Sequence, residues 1–328
     1  MARNRTTQYF GVDDLARAAE ALRSGAIVAF PTETVYGLGA DAFDPEAIAR
    51  VFEAKGRPHD NPLIVHISDI TMLPRVATEI PAVAHELIDQ FWPGPLTLLL
   101  PKSKDIPTSV TAGLSTVAVR IPSDPIARAL IRLADTPLVA PSANLSGRPS
   151  GTTWQAVADD LDGRIDGIIC GNATQIGLES TVLDLMHHPA RILRPGAVDV
   201  HRLRCIAPDV VEAEHIADHD AAAVPSPGMK HRHYQPNARV RVLRPSDSHR
   251  DPGTESTKRG WIGIHLPFDS SRYAMVVPCQ NVDEYAARLF DAFRTMDNRG
   301  IQLIDCEAVP VAGIGRALMD RIERASSK

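Results

Sequence analysis

Residues 44 to 66 read DPEAIARVFEAKGRPHDNPLIVH, a stretch that holds a complete helix, its stop signal and the strand that follows. Asp44 is a good N-cap, Pro45 suits the first helical turn, and Ile48, Val51 and Phe52 form an apolar stripe running up to Gly56. The spacing predicts a helix over 45–55, so Lys55 closes it and Arg57 opens the loop beyond. Leu63 to His66 then reads as a strand. A second segment is placed in the same way. Pro137 to Ala140 reads as a short buried strand, which puts Ser142 and Asn144 of Pro141-Ser142-Ala143-Asn144 at a strand's carboxyl end, where open α/β sheets bind ligands. Two cations at one element end and a hydroxyl-amide pair at another compose a site for a polyphosphate.

Working outward, strand-like and helix-like stretches alternate up to about residue 200. Ala26 to Phe30, Leu96 to Leu100, Val117 to Ile121, Gly167 to Cys170 and Thr181 to Leu185 join the two strands above. Helical patterns fall at Asp13 to Ser24, Ile80 to Phe91, Pro125 to Ala134 and Thr153 to Leu161. The expectation is an α/β domain over 1–205 on a mixed sheet with flanking helices. Residues 206–238 change character, through Asp, Glu, His and Ala to Pro225-Ser226-Pro227-Gly228 and a basic stretch ending at Pro236, and read as a linker. Beyond it, strands at Trp261 to Leu266, Ala274 to Val277 and Ile301 to Ile304, with helices at Val282 to Met296 and Gly315 to Arg324, predict a small second α/β domain over 239–328.

Composition narrows the class. The 328 residues are 44% hydrophobic and 23% charged, which is globular, and runs such as Leu96 to Leu100 fall far short of the roughly 20 apolar residues a membrane span needs. No apolar segment follows Arg3 and Arg5, so a cytoplasmic protein is expected. Cys170, Cys205, Cys279 and Cys306 are too scattered for a zinc or redox pair, and read as buried free thiols. A net charge of -5 argues against non-specific nucleic-acid binding by the whole chain. His231-x-His233 and the pair His215 and His219 lack further ligands, so no dedicated metal site is expected.

Two further features carry chemistry. Pro31 to Gly39, PTETVYGLG, packs hydroxyls, a carboxylate and two glycines after a strand, which suits either a loop that approaches a ligand or a structural turn. It lacks the third glycine of a dinucleotide fingerprint, and no Walker A sequence occurs. Arg120 projects from the strand Val117 to Ile121 on the face opposite Val117 and Val119. A guanidinium there requires a carboxylate or phosphate, supplied either by a structural Asp or Glu or by a ligand.

Taken together, these motifs resemble the YrdC/Sua5 family, and the length resembles its two-domain, Sua5-type threonylcarbamoyl-AMP synthases. The resemblance runs through PTETVYGLGADA (31–42), KGRPHDNPLIVH (55–66), PGPLTLLL (93–100), VAVRIP (117–122), APSANLSGRPSGTT (140–153), ESTVLDL (179–185), ILRPGAV (192–198), SPGMKHRHYQP (226–236) and GIGRALMDRIERA (313–325). It implies a YrdC-like twisted mixed sheet, a small Rossmann-like C-terminal domain, and a nucleotidyltransferase. The reaction so implied joins L-threonine, bicarbonate or carbon dioxide, and ATP with Mg²⁺ into threonylcarbamoyl-AMP and pyrophosphate, for the t6A modification of tRNA.

By the same resemblance, Lys55 and Arg57 act on the phosphates as catalytic groups, with Ser142 and Asn144 beside them. Thr34, His66, Arg120 and Ser180 match the threonine pocket. Asn61, Thr116, Ala140, Ser150 and Arg194 match positions around the nucleotide, and Tyr234 reaches it from a linker that gates the site. Contact with the downstream t6A transferase machinery and weak tRNA binding are expected, and membrane binding is not.

Overall fold

The computed structural model describes residues 6–212, 234–244 and 257–327. Among these, the chain up to Glu212 contributes strands β1 (Gln8–Phe10), β2 (Val28–Phe30), β3 (Gly37–Asp41), β4 (Ile64–His66), β5 (Leu96–Pro101), β6 (Thr116–Arg120), β7 (Leu138–Val139), β8 (Gly167–Ile169), β9 (Thr181–Asp184), β10 (Arg191–Arg194) and β11 (Val211–Glu212). They form one mixed sheet of eleven strands in the order β1-β8-β2-β3-β7-β4-β6-β5-β9-β10-β11. Its helices are α1 (Leu15–Arg23), α2 (Pro45–Lys55), α3 (Leu73–Val76), α4 (Ala82–Phe91), α5 (Pro125–Ala134), α6 (Trp154–Leu161) and α7 (Val200–Arg204). Strands β2, β4 and β8 are buried at every position, as expected where both faces of a sheet are covered.

The helix read from residues 44–56 forms for the reasons its sequence suggests. Asp44 accepts from the backbone N–H of Glu46 at 2.9 Å and of Ala47 at 3.2 Å, and Pro45 occupies the first turn. Ile48, Val51 and Phe52 are buried, and Gly56 ends the helix with φ 60° and ψ 38°, the left-handed cap that glycine adopts without strain. That cap separates Lys55, the last helical residue, from Arg57 in the loop.

The stretch Pro31 to Gly39 is not all loop. Gly37 to Asp41 is strand β3, antiparallel to both β2 and β7. Glycine and alanine carry little strand propensity, so pairing on both sides, rather than local preference, makes it a strand.

The second sheet is wholly parallel: β12 (Arg239–Leu243), β13 (Arg259–Gly263), β14 (Met275–Pro278) and β15 (Leu303–Glu307), in the order β12-β15-β13-β14, with helices α8 (Val282–Asn298) and α9 (Ile314–Ser326). Tyr285, Leu289, Phe290, Phe293, Leu318 and Ile322 are completely buried in its core. That core also takes in Val35, Leu178 and Tyr234, so the second unit is packed onto the first. Strand β11 pairs parallel with β10 and carries the first sheet to Glu212. The linker and gate reading of 206–238 falls largely on residues 213–233, which lie outside the described residues. Among the described residues no helix is long and apolar enough to cross a membrane.

Candidate active site

A cleft enclosing about 740 Å³, open solvent included, lies where α2, the end of β4 and the loop after β7 converge. Lys55 is buried, and its Nζ donates to the backbone carbonyls of Ser142 and, at 2.7 Å, of Asn144. The return contact runs from the Ser146 N–H to the Lys55 carbonyl at 2.8 Å. Ser142 Oγ donates to Asn144 Oδ1 at 2.6 Å, while Asn144 Nδ2 donates to the carbonyls of Leu145 and Arg148 at 2.7 and 2.9 Å. The loop is thus folded around the lysine. Arg57 donates from Nε to the Asn61 carbonyl at 3.3 Å and from NH2 to that of Pro62 at 2.9 Å.

Neither cation meets a carboxylate within ion-pair distance among the described residues. Burial, and next the charge of Arg57, push the Lys55 ammonium well below its usual range. Burial and the nearby Arg194 push Arg57 down to about 10. Of the charged side chains lining the cleft, Lys55, Arg57, Arg120, Arg148 and Arg194 are cations and Glu179 is the one carboxylate among the described residues. Such a surface is built for a polyanion.

A smaller polar recess adjoins it. Arg120 Nε donates to the Gly94 carbonyl at 3.2 Å, NH1 to Thr34 Oγ1 at 2.9 Å, and NH2 lies 2.6 Å from Glu33 Oε2. The Glu33 contact is close but misaligned, so both Glu33 oxygens and Arg120 NH2 are buried without a hydrogen bond despite the ion pair. Of the two partners the strand sequence allows, a structural carboxylate is present, and the guanidinium still lines the cleft. His66 Nδ1 lies 3.3 Å from the Ile64 carbonyl, and burial, reinforced by Arg120, pushes its pKa down to about 3. Ser180 Oγ bonds Thr97 Oγ1 at 2.7 Å and accepts from Arg194 NH2 at 3.2 Å.

Residues 20–196 match the Sua5/YciO/YrdC family model, described as "Telomere recombination", and residues 198–327 match the model described as "Threonylcarbamoyl-AMP synthase, C-terminal domain". The chain belongs to the Sua5 family. It is 45% identical over 318 residues to the threonylcarbamoyl-AMP synthase of Pyrococcus abyssi, covering 94% of this chain and 93% of that one. Over 321 residues it is 41% identical to the threonylcarbamoyl-AMP synthase of Bacillus subtilis, covering 95% and 92%. The crystal structure of P. abyssi Sua5 complexed with L-threonine matches with a TM-score of 0.89 and 42% identity, covering 98% of this chain and 97% of that one. The fold is that of the Sua5 family, and the chain is an enzyme of the threonylcarbamoyl-AMP synthase class.

Within this Sua5 fold, twelve of the fourteen candidate residues line one cleft: Thr34, Lys55, Arg57, His66, Arg120, Ala140, Ser142, Asn144, Ser150, Ser180, Arg194 and Tyr234. Asn61 and Thr116 are not in its wall. Asn61 is buried beside Arg57, with its Nδ2 lacking a hydrogen-bond partner. Thr116 opens β6 at the end opposite Arg120, four residues away and hence roughly 13 Å along the strand. Residue-by-residue reading also left out Glu33, Arg148 and Glu179, and two arginines of the second unit, Arg294 and Arg321, that reach the cleft's supports. Glu179 and Arg321 stand in matched motifs, but nothing local to either shows that they meet.

Proposed function

We propose that this chain condenses L-threonine, bicarbonate or carbon dioxide, and ATP into threonylcarbamoyl-AMP and pyrophosphate, supplying the t6A modification of tRNA in the cytoplasm. One observation carries the reading. A buried, cation-rich cleft whose Lys55 and Arg57, among the described residues, bond only to backbone carbonyls adjoins a polar recess of Thr34, His66, Arg120 and Ser180. The cleft suits a triphosphate and the recess a small amino acid.

In this reading threonine's amine adds to carbon dioxide and loses a proton, giving a carbamate. A carbamate oxygen then attacks the α-phosphorus as the bond to pyrophosphate breaks. No protein nucleophile is needed; positioning and neutralisation of the developing charge supply the catalysis. Lys55 and Arg57 stabilise the leaving pyrophosphate, and the Ser142–Asn144 loop, wrapped on Lys55, holds them in register. Arg120 has two of its five N–H groups in hydrogen bonds, and its NH2, which pairs with Glu33 without a hydrogen bond, is left with the second NH1 hydrogen for threonine's carboxylate. A carbonyl only accepts, so His66 Nδ1 carries the ring proton toward Ile64, and Nε2 remains an acceptor for threonine's hydroxyl.

No group of three or more His, Cys, Asp or Glu side chains that could hold a metal occurs among the described residues. The donor set at the phosphate end is cationic and hydroxylic, which fits Mg²⁺ held by the phosphates of ATP rather than by a protein cage. When bound in that way, Mg²⁺ neutralises phosphate charge.

The test is a product assay with protein, Mg²⁺, ATP, L-threonine and bicarbonate. Pyrophosphate release and the threonylcarbamoyl-AMP mass should both require threonine and bicarbonate. Pyrophosphate released at the same rate without threonine, or no adenylate at all, overturns the reading.

A further inference from the structure

We infer that Arg321, on helix α9 of the second unit, is a positioning residue for ATP that acts through Glu179, Ser150 and Tyr234. The inference rests on the synthase reading above. Arg321 is completely buried and stands behind the cleft wall without lining it. Its Nε donates to Glu179 Oε2 at 2.8 Å, its NH1 pairs with Asp320 Oδ2 at 2.6 Å, and its NH2 donates to the Pro195 carbonyl, next to Arg194, at 3.1 Å. Its guanidinium carbon lies 5.2 Å from the centre of the Tyr234 ring, which stacks on Phe290 at 5.3 Å. The other Glu179 oxygen accepts from Ser150 Oγ at 2.6 Å.

The consequence is electrostatic. Glu179 is the carboxylate of a wall that must receive a triphosphate on Lys55 and Arg57. Left unpaired, it would repel the phosphates and turn toward those same cations, neutralising the charge the substrate needs. Held by Arg321 on one oxygen and Ser150 on the other, it is directed away from that role. Burial alone would push the Glu179 carboxyl up, and Arg321, Arg194 and the Ser150 bond outweigh it and hold it low.

A second arginine supports the same segment. Arg294 of α8 donates to the Pro149 carbonyl and, at 2.7 Å, to Asp160 Oδ2. Asp160 also accepts from Leu145 N and from Arg148 NH1. The loop carrying Ser142 to Ser150 is therefore held from behind by residues of the second unit.

The experiment uses the full chain as wild type, Arg321→Gln, Arg321→Lys, Glu179→Gln and the double variant Arg321→Gln/Glu179→Gln. Michaelis constants for ATP and threonine, kcat, melting temperature and calorimetric affinity for a non-hydrolysable ATP analogue are measured for each. Loss of one partner of the buried pair should raise the ATP KM by about tenfold or more in Arg321→Gln, with the threonine KM changed by less than about twofold. Arg321→Lys, which keeps the charge, should recover part of the loss, and the double variant, which removes the freed carboxylate, most of it. The inference is overturned if Arg321→Gln folds with an unchanged ATP KM, or if both KM values rise together with a loss of melting temperature. Should Arg321→Gln fail to fold, Glu179→Gln and the double variant decide. Action through Glu179 predicts ATP affinities within about threefold of each other, and a further tenfold loss on adding Arg321→Gln overturns it. Wild-type protein that binds the analogue yet forms no adenylate overturns the synthase reading alone, leaving the analogue affinities to decide this one.

Discussion

Lys55 Nζ donates to the Asn144 carbonyl at 2.7 Å, joining two segments that lie 89 residues apart in the chain. The ammonium is thereby the pin of the loop and, in the proposed reaction, the charge offered to phosphate. Lys55→Ala should lower kcat/KM by roughly a hundredfold, the scale seen when a preorganised charge donor is removed. Unchanged pyrophosphate release from a folded Lys55→Ala protein would exclude the electrostatic role.

The same lysine predicts proton uptake on ATP binding. Burial and Arg57 depress its pKa in the free protein, and an adjacent triphosphate raises it again. Titration calorimetry in buffers of different ionisation enthalpy should show protons taken up on binding at alkaline pH, with affinity falling as pH rises. Uptake that persists in Lys55→Ala would assign the proton elsewhere.

His66 contributes to acid sensitivity. Its pKa is lowered in the folded state from 6.5 to about 3, so the unfolded chain binds the extra proton first. Stability is insensitive to this group above pH 6.5 and falls as pH drops from 6.5 toward 3. In urea titrations across that window, His66→Gln should lose less stability than wild type, and parallel losses would refute the assignment.

Arg120→Lys should raise the threonine KM by about tenfold to a hundredfold, the equivalent of about 1.4–2.8 kcal/mol, with a small effect on the ATP KM. A lysine lacks the planar fork that serves Gly94, Thr34, Glu33 and an incoming carboxylate together. Equal changes in both Michaelis constants would show that Arg120 does not discriminate the two substrates.

Gly177 sets how closely the two units approach. It has φ 76°, and a Cβ there would lie 2.5 Å from Ala287 Cα and 2.6 Å from the Ala287 carbonyl oxygen. Gly177→Ala should cost about 2–5 kcal/mol, from roughly 1–3 for overpacking and about 1–2 for the left-handed backbone. The midpoint of urea unfolding reports it, and a shift within error would mean that the interface gives way freely.

Much of the architecture is legible where local chemistry is strong. Asp-Pro pairs at 44–45 and 124–125 start helices that run over the expected residues, and the buried hydrophobic runs became β2, β4, β5, β6, β7, β8 and β9. Strands β1, β3, β10, β11 and β12 escaped, because short, glycine-containing or charge-interrupted segments are made into strands by neighbours contributed from elsewhere in the chain. The site was legible where a motif sits at an element end, as at Lys55 and Arg57. It was not legible at Arg148 or Glu33, whose partners cannot be read from their own surroundings.

By itself the sequence determined the alternating α/β elements, the helix stop that separates Lys55 from Arg57, and, through its motifs, the family and twelve of the side chains that line the cleft. Only the tertiary structure decided that Glu33 pairs with Arg120 and that Glu179 meets Arg321 across 142 residues of chain. Capping and periodicity act over a few residues along one element, whereas the partner of a buried charge is selected by desolvation and packing between elements, which no local pattern encodes.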